Sequence, residues 1–227
     1  YYTDHLWRNK ERQILAENQD GGRKVYSADL FGDFSLDFIR SHQEKPFFLY
    51  LATTIPHKDI VVPELGIYAD KPWPEEAKTF AAMVTRLDAQ VGQIMNLLDQ
   101  LNLAEDTLIL FTSDNGSAKG WEGLFDSSGP LRAKKFSLYE GGIRVPMIAR
   151  WPGKVPEGAV SDDLWYFADF LPTAAALAGA SAPEGIDGIN VLPLLLGYED
   201  ANKRRFLYWE VNREKGLEQA VRWGDWK

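Results

Sequence analysis

Apolar residues follow two patterns along this chain, short continuous runs and a helical spacing. A short apolar run bounded by polar residues is typical of a buried strand, whereas recurrence about every 3.6 residues is typical of a helix with one buried face. The runs that predict strands are 46–52, 107–112 and 146–150. The stretches that predict helices are 27–41, 74–101, where Pro-Glu-Glu suits a first turn, and 169–177, which ends before Gly179.

Strands and helices therefore alternate along most of the chain. Such alternation predicts an α/β fold with a largely parallel sheet covered by helices on both faces. Residues 1–24 are polar, and we expect them to form a loop. Residues 206–211 and 219–223 predict strands of a small antiparallel carboxyl-terminal sheet. We expect residues 1–200 to belong to the α/β/α domain and residues 201–227 to begin a small carboxyl-terminal subdomain.

Polar residues follow the second apolar run directly, in the order Ser113-Asp114-Asn115-Gly116. In open α/β sheets the residues just past the carboxyl end of a strand face the ligand crevice. The carboxylate of Asp114 and the amide oxygen of Asn115 suit a hard divalent cation. Asp-Asn-Gly is also a common tight-turn sequence, because Asn and Gly accept positive φ, and the sequence leaves both interpretations open.

The connection at 115–142 is too long for an ordinary loop, and we expect it to be functional. It carries Lys134-Lys135, and Lys135 lies five residues before Glu140-Gly141-Gly142. Cationic nitrogens beside a bound cation would hold and polarise an anionic ester, although a basic pair is also common on a solvated surface. The two glycines are expected to permit close backbone packing, because no Gly-x-Gly-x-x-Gly follows a strand here.

Two aromatic side chains stand out for their place in the sequence. His57 follows the first apolar run through Thr-Thr-Ile-Pro, at the kind of strand edge where sites are built. His5 and His42 have no such setting, and we interpret them as surface residues. Trp121, on the long loop, is a candidate substrate contact, whereas most of the other tryptophans are expected to pack in the interior.

In this order and at this spacing, the segments resemble the type I, formylglycine-dependent sulfatases, an arylsulfatase-like family of the alkaline-phosphatase superfamily. The resemblance implies an alkaline-phosphatase-like α/β/α sandwich and hydrolysis of sulfuric esters. It implies Ca²⁺ on Asp114 and Asn115, with Asp114 also near the nucleophile. It further implies that Lys135, favoured over Lys134 by its spacing to Glu-Gly-Gly, contacts the sulfate, and that His57 contacts the ester near its leaving oxygen.

The same resemblance implies that the nucleophile and part of the metal site are missing from this chain. The family's nucleophile is a formylglycine made from Cys or Ser in a Cys/Ser-x-Pro/Ala-x-Arg motif, which lies on the amino-terminal side of all these segments, as does the first pair of metal-binding Asp residues. The chain has no Cys, and we expect no such Ser motif in it. It is therefore expected to be a carboxyl-terminal fragment that is inactive alone. The segment 125–132 most resembles carbohydrate sulfatases, which favours a sulfated carbohydrate over a small aryl ester.

Composition and charge restrict the partners. A formal net charge of −8 argues against non-specific nucleic-acid binding, so local positive charge has to attract any anionic substrate. No stretch approaches the roughly 18 uninterrupted apolar residues that span a bilayer. The absence of Cys excludes disulfides within this segment. The resemblance implies export to a periplasmic, extracellular or lysosome-like compartment, although no signal peptide is visible, and the sequence does not specify an oligomeric state.

Two alternative functions are compatible with the sequence. Phosphodiesterases and phosphonate hydrolases of the same superfamily share the metal ligands but usually use two transition metals held by several His, and the three His residues here disfavour them. A non-catalytic binding fragment is the second alternative. A Cys-x-Pro-x-Arg motif in an intact chain would support the sulfatase. A lone Thr or Ser in its place would support phosphoester chemistry, and the absence of both would support a binding role.

Overall fold

The structure is a computed structural model that describes residues 1–118, 121, 123–198, 206–214 and 216–227. The chain divides into two compact units, Tyr1–Ala104 and Glu105–Lys227, and each is described by itself. The domain boundary expected between residues 200 and 201 lies outside the described residues, so that division stays a prediction.

The first unit begins with a hairpin of β1 (His5–Arg8) and β2 (Glu11–Ile14). The strands pair antiparallel, and Asn9, with φ of 57°, lies in the turn between them. The loop expected over residues 1–24 is therefore wrong in this part. Every residue of β2 is exposed, so backbone pairing rather than burial maintains the hairpin, and no alternation of apolar residues marks it in the sequence.

Two long helices make up most of the first unit. These are α1 (Ser27–His42) and α2 (Glu75–Gln100), and both predicted helices are confirmed. Pro74 precedes α2, whose first turn carries Glu75 and Glu76, acidic residues that interact favourably with the positive end of the helix dipole.

The two helices are joined by polar contacts as well as apolar ones. The Gln90 amide nitrogen on α2 donates to the Ala28 carbonyl on α1 at 2.8 Å. A Cβ at Gly32 would lie 3.1 Å from that nitrogen, so glycine lets the Gln90 side chain approach α1. Arg86 on α2 donates two hydrogen bonds to the Asp29 carboxylate on α1, at 2.5 and 2.6 Å. This bidentate pairing fixes the position of one helix along the other.

The apolar segment 46–52 forms no strand, and this prediction is wrong. Its residues alternate between half-buried and exposed positions, as in an extended chain, and the side chains of Phe48 and Tyr50 are 68% and 80% exposed. A strand exists only where a neighbour completes the hydrogen-bonded ladder, and none of the described strands pairs with this segment.

In the second unit, β3 (Ile109–Thr112) pairs with β4 (Met147–Arg150), so both predicted strands are confirmed. The pairing is antiparallel, with Ile109 opposite Arg150 and Thr112 opposite Met147. All pairs among the described strands are antiparallel, so the expected parallel pairing is not found within the described part of this chain. The strand β3 is also only partly buried, although its apolar sequence predicted full burial.

Helical turns and a second hairpin complete this unit. The helices are α3 (Glu140–Ile143), α4 (Phe170–Leu177) and α5 (Leu192–Leu195), and the strands are β5 (Leu207–Arg213) and β6 (Gly216–Arg222). The predicted helix α4 and the predicted small antiparallel sheet are both confirmed. None of the helices within the described ranges has the length and apolar character needed to cross a bilayer.

Candidate active site

The segment after β3 presents two oxygen-bearing side chains. Asp114 is exposed and Asn115 is half-buried. Among the described residues, neither side chain has a hydrogen-bond or ion-pair partner. Neither Asn115 nor Gly116 has a positive φ, so Asp-Asn-Gly does not form a turn of the types that require one.

Gly116 is required instead by the close approach of another backbone. A Cβ at Gly116 would lie 1.9 Å from the Gly141 carbonyl oxygen and 3.1 Å from the Gly142 Cα. The Gly116 N–H donates to the Gly142 carbonyl at 3.0 Å. The glycine of Asp-Asn-Gly thus touches the two glycines of Glu-Gly-Gly, and we call this arrangement of Gly116, Gly141 and Gly142 the glycine contact.

The glycine contact extends to the backbone that carries the two lysines, residues 132–137, which we call the lysine segment. A Cβ at Gly141 would lie 2.1 Å from the Ala133 carbonyl oxygen, and one at Gly142 would lie 2.1 Å from the Ser137 carbonyl oxygen. The Gly141 N–H donates to the Arg132 carbonyl at 2.8 Å. The expectation that these glycines permit close backbone packing is confirmed.

Lys135 differs from Lys134 in its surroundings. The Lys135 N–H donates to the Ser117 carbonyl at 2.9 Å, which ties the lysine segment directly to the chain after Asp114. The Lys135 side chain is half-buried, whereas that of Lys134 is exposed. The backbone is unusual on both sides of the pair, since Ala133 and Phe136 have φ of 65° and 74°. Such values are uncommon outside glycine and are maintained only where surrounding contacts impose them.

His57 belongs to the first unit, whereas Asp114, Asn115 and Lys135 belong to the second. Its side chain is exposed, but the residues around it are anchored. Two residues earlier, Ile55 is only 3% exposed and packs in a cluster with Tyr26 and Met83. The imidazole of His57 is therefore exposed on an anchored backbone.

Hydrogen bonds hold the His57 segment on both sides. The Tyr1 hydroxyl donates to the Thr54 carbonyl at 3.0 Å, before His57. The Tyr26 hydroxyl donates to the Val61 carbonyl at 2.9 Å, after it. Burial, and then the neighbouring tyrosines, raise the pKa of Tyr26 above the ordinary value of 10.0, so its phenol remains a donor at neutral pH.

Sequence reasoning missed the charge contacts of Glu140. Its two carboxylate oxygens each pair with a cation from the carboxyl-terminal hairpin region, Arg222 at 3.3 Å and Lys227 at 2.9 Å. These partners lie 82 and 87 residues further along the chain, so no local spacing could have revealed them.

Trp121 and Ser128 also lie on the long loop. Trp121 is half-buried and meets Phe125 edge to face, with ring centroids 5.9 Å apart.

Ser128 begins the stretch Ser-Gly-Pro-Leu-Arg132, which satisfies the bare spacing Ser-x-Pro-x-Arg. The expectation that no such motif occurs in the chain is therefore wrong. The Ser128 carbonyl closes a turn with the Leu131 N–H at 3.0 Å. No hydrogen bond between described residues joins its hydroxyl to Asp114 or Lys135, and we assign it no role.

The described residues hold no group of three or more His, Cys, Asp or Glu side chains that could bind a metal ion by themselves. Asp114 and Asn115 therefore provide at most part of a metal site. A carboxylate and an amide oxygen, both without other partners in the described ranges, fit two positions in the oxygen shell of a hard cation.

Comparison with known proteins identifies the family of this chain. The profile of the Sulfatase family matches residues 1–180. N-acetylgalactosamine-6-sulfatase of Canis lupus familiaris is 36% identical over 181 residues, which are 77% of this chain and 33% of that protein. Arylsulfatase A of Homo sapiens is 38% identical over 207 residues, which are 89% of this chain and 38% of that protein. The chain spans about a third of the length of these curated relatives.

A solved structure extends the agreement to three dimensions. The structure of Ps i-CgsB in complex with k-i-k-neocarrahexaose matches with a TM-score of 0.75 and 34% identity, covering 90% of this chain and 46% of that one. The predicted alkaline-phosphatase-like α/β fold class is thereby confirmed. The family profile covers well over half of the chain, and the chain belongs to the sulfatase family.

Proposed function

We propose that the chain is part of a longer sulfuric ester hydrolase, here called the parent protein, that cleaves sulfate esters of a carbohydrate. The observation that carries the proposal is the glycine contact, which joins the backbone directly after Asp114 and Asn115 to the segment bearing Lys135. Both relatives compared above are named as sulfatases, and the Ps i-CgsB structure holds a carrahexaose. The name N-acetylgalactosamine-6-sulfatase and the bound oligosaccharide support a sulfated sugar as the substrate class.

Lys135 is proposed to neutralise charge on the sulfate. A half-buried ammonium group is less screened by water than the exposed Lys134, so its field at a bound anion is stronger. Charge accumulates on the leaving oxygen and the sulfate oxygens as the ester bond breaks, and a positioned cation stabilises that state more than the ground state. The anchored backbone of the lysine segment keeps this cation in place without reorganisation.

His57 is proposed to act at the leaving oxygen. An alcohol of a sugar is a poor leaving group, and donation of a proton or hydrogen bond to its oxygen lowers the barrier. The side chain is exposed, which allows contact with a substrate, and the bonds at Thr54 and Val61 restrict the backbone on each side.

Asp114 and Asn115 are proposed as two ligands of a Ca²⁺ ion. Ca²⁺ takes six to eight oxygen ligands, so the remaining positions would be filled by other parts of the parent protein and by substrate or water. When bound, the ion supplies positive charge that favours binding of an anionic ester. For the chain alone we therefore expect weak Ca²⁺ affinity. We also expect the chain alone to have no sulfatase activity, because the resemblance places the formylglycine nucleophile and the first pair of metal-binding Asp residues earlier in the parent protein.

The resemblance also supports export of the parent protein to a periplasmic, extracellular or lysosome-like compartment, and a subdomain that begins near residue 201. Both proposals depend on the family alone.

The test is sulfate release by the parent protein. It should release sulfate from 4-nitrocatechol sulfate and from a sulfated oligosaccharide in the presence of Ca²⁺, and a chelator should abolish both activities. Matched aryl phosphate diesters and phosphonate monoesters test the first alternative, and hydrolysis of these without sulfate release would overturn the proposal. Binding of sulfated sugar without any turnover would instead indicate a non-catalytic binding protein.

A further inference from the structure

We infer that Glu140 is a positioning residue for the lysine segment, through which the carboxyl-terminal hairpin of β5 and β6 fixes the place of Lys135. The structural part of this inference stands on contacts within the second unit, and its consequence for activity rests on the proposed function.

The Glu140 carboxylate is shared between two cations. Its Oε2 lies 3.3 Å from Arg222 Nη1, on β6, and its Oε1 lies 2.9 Å from Lys227 Nζ. The three side chains are only 28%, 22% and 19% exposed, in that order. Exposed ion pairs contribute little because water screens them, whereas partly buried pairs keep more of their attraction. Each oxygen has its own cation, so loss of the carboxylate charge would leave two poorly solvated cations facing each other.

The position of Glu140 reaches Lys135 through backbone alone. Glu140 is the first residue of α3, and the next two residues are the glycines of the glycine contact. Their missing side chains place α3 against the carbonyls of Ala133, Lys134 and Ser137, which lie on both sides of Lys135. Backbone in direct contact cannot adjust by rotating a side chain. A shift of α3 is therefore transmitted to the lysine segment.

The same contacts reach the proposed metal ligands, because Gly116 is bound to Gly142. The hairpin, α3, the lysine segment and the chain after Asp114 thus form one connected series. Of the side chains in that series, Glu140 makes the ion pairs that connect α3 to Arg222 and Lys227. Removing the charge of Glu140 therefore tests whether these ion pairs position the lysine segment.

The substitution Glu140→Gln in the full-length parent protein keeps the size of the side chain and removes its charge. Misplacement of a catalytic group by about 1 Å costs on the order of 10²-fold, so we expect a loss of roughly 10- to 100-fold in kcat/KM on an aryl sulfate. In a Lys135→Ala background, the same substitution should cost less than about threefold, because the group it positions is already gone. An equal loss in both backgrounds would indicate general destabilisation and would overturn the inference.

Amide hydrogen exchange tests the structural part without reference to activity. In Glu140→Gln, exchange over residues 131–139 should be faster. The control Glu184→Gln, at an exposed residue with no ion pair among the described residues, should leave it unchanged. If Glu140→Gln does not fold, Arg222→Gln removes one partner and should give a smaller change of the same kind. Unchanged exchange in both variants would overturn the inference. Absence of sulfate release by the wild-type parent would overturn the proposed function, and exchange would still decide this inference.

Discussion

Replacing Gly116 by alanine adds one methyl group at the point where the Asp114 segment meets Glu-Gly-Gly. The new Cβ would lie 1.9 Å from the Gly141 carbonyl oxygen, whereas real Cβ contacts essentially never fall below 3.0 Å. The two backbones therefore have to separate by at least about 1.1 Å, the difference between these two distances. The three nearest atoms all belong to backbone, so rotation of a side chain cannot relieve the clash.

The expected effect has two parts. Overpacking of a well-packed site costs about 1–3 kcal/mol, and loss of the Gly116 N–H bond to Gly142 adds about 1 kcal/mol. Because the lysine segment moves with α3, a displacement of about 1 Å should also lower kcat/KM on a sulfate ester by about 10²-fold. Urea unfolding and steady-state kinetics of the parent protein measure the two parts.

Gly92→Ala is the matched control. Gly92 lies within α2, has no atom within 4 Å of a Cβ added there and has no positive φ, so alanine should stabilise the helix by up to about 1 kcal/mol without affecting activity. If Gly116→Ala were as harmless as Gly92→Ala in both assays, the proposed close approach of the two motifs would be wrong.

Two further predictions concern the His57 segment. His57→Ala should impair hydrolysis of sugar sulfates far more than that of activated aryl sulfates, because only the sugar alcohol, the poorer leaving group, needs a proton. Comparable losses in kcat/KM on both substrates would argue against a role of His57 as the acid. Tyr26→Phe should lower the free energy of unfolding by about 1 kcal/mol through loss of the bond to Val61. Because the pKa of Tyr26 is raised, its contribution is present below pH 10.0 and declines at higher pH, so an unfolding series from pH 8 to 11 should show the difference between the two proteins narrowing. A difference that stayed constant or widened over that series would contradict this assignment.

The sequence predicted the elements that a local pattern of apolar residues marks. The helices α1 and α2 and the strands β3 and β4 are found close to their predicted ranges, because apolar spacing and strand composition act within each segment. The hairpin of β1 and β2 was missed, since its two short strands, of which β2 is fully exposed, carry no such pattern. The segment 46–52 shows the opposite error: its composition favours a strand, but a strand also needs a partner that no local pattern specifies.

For the site too, the sequence predicted local features and missed contacts between distant parts of the chain. Motif spacing pointed to Asp114, Asn115 and Lys135 as a group, and the contacts of Gly116, Gly141 and Gly142 explain how two distant motifs lie side by side. The sequence offered turn formation as the reason for glycine at position 116, whereas in the structure the reason is the close approach of the Gly141–Gly142 backbone. The pairing of Glu140 with Arg222 and Lys227 depends on how the chain returns after more than 80 residues, which spacing does not encode.

The most direct test of the account compares the two adjacent lysines in the parent protein. Lys135→Ala and Lys134→Ala each remove one charge, but only Lys135 is half-buried and bonded through its backbone to the chain after Asp114. The measurement is kcat for sulfate release from a sulfated oligosaccharide. We predict a loss of roughly 10²–10³-fold for Lys135→Ala, and a change of only a few-fold for Lys134→Ala that salt screens. Equal losses for the two variants would contradict the assignment of Lys135 to the sulfate.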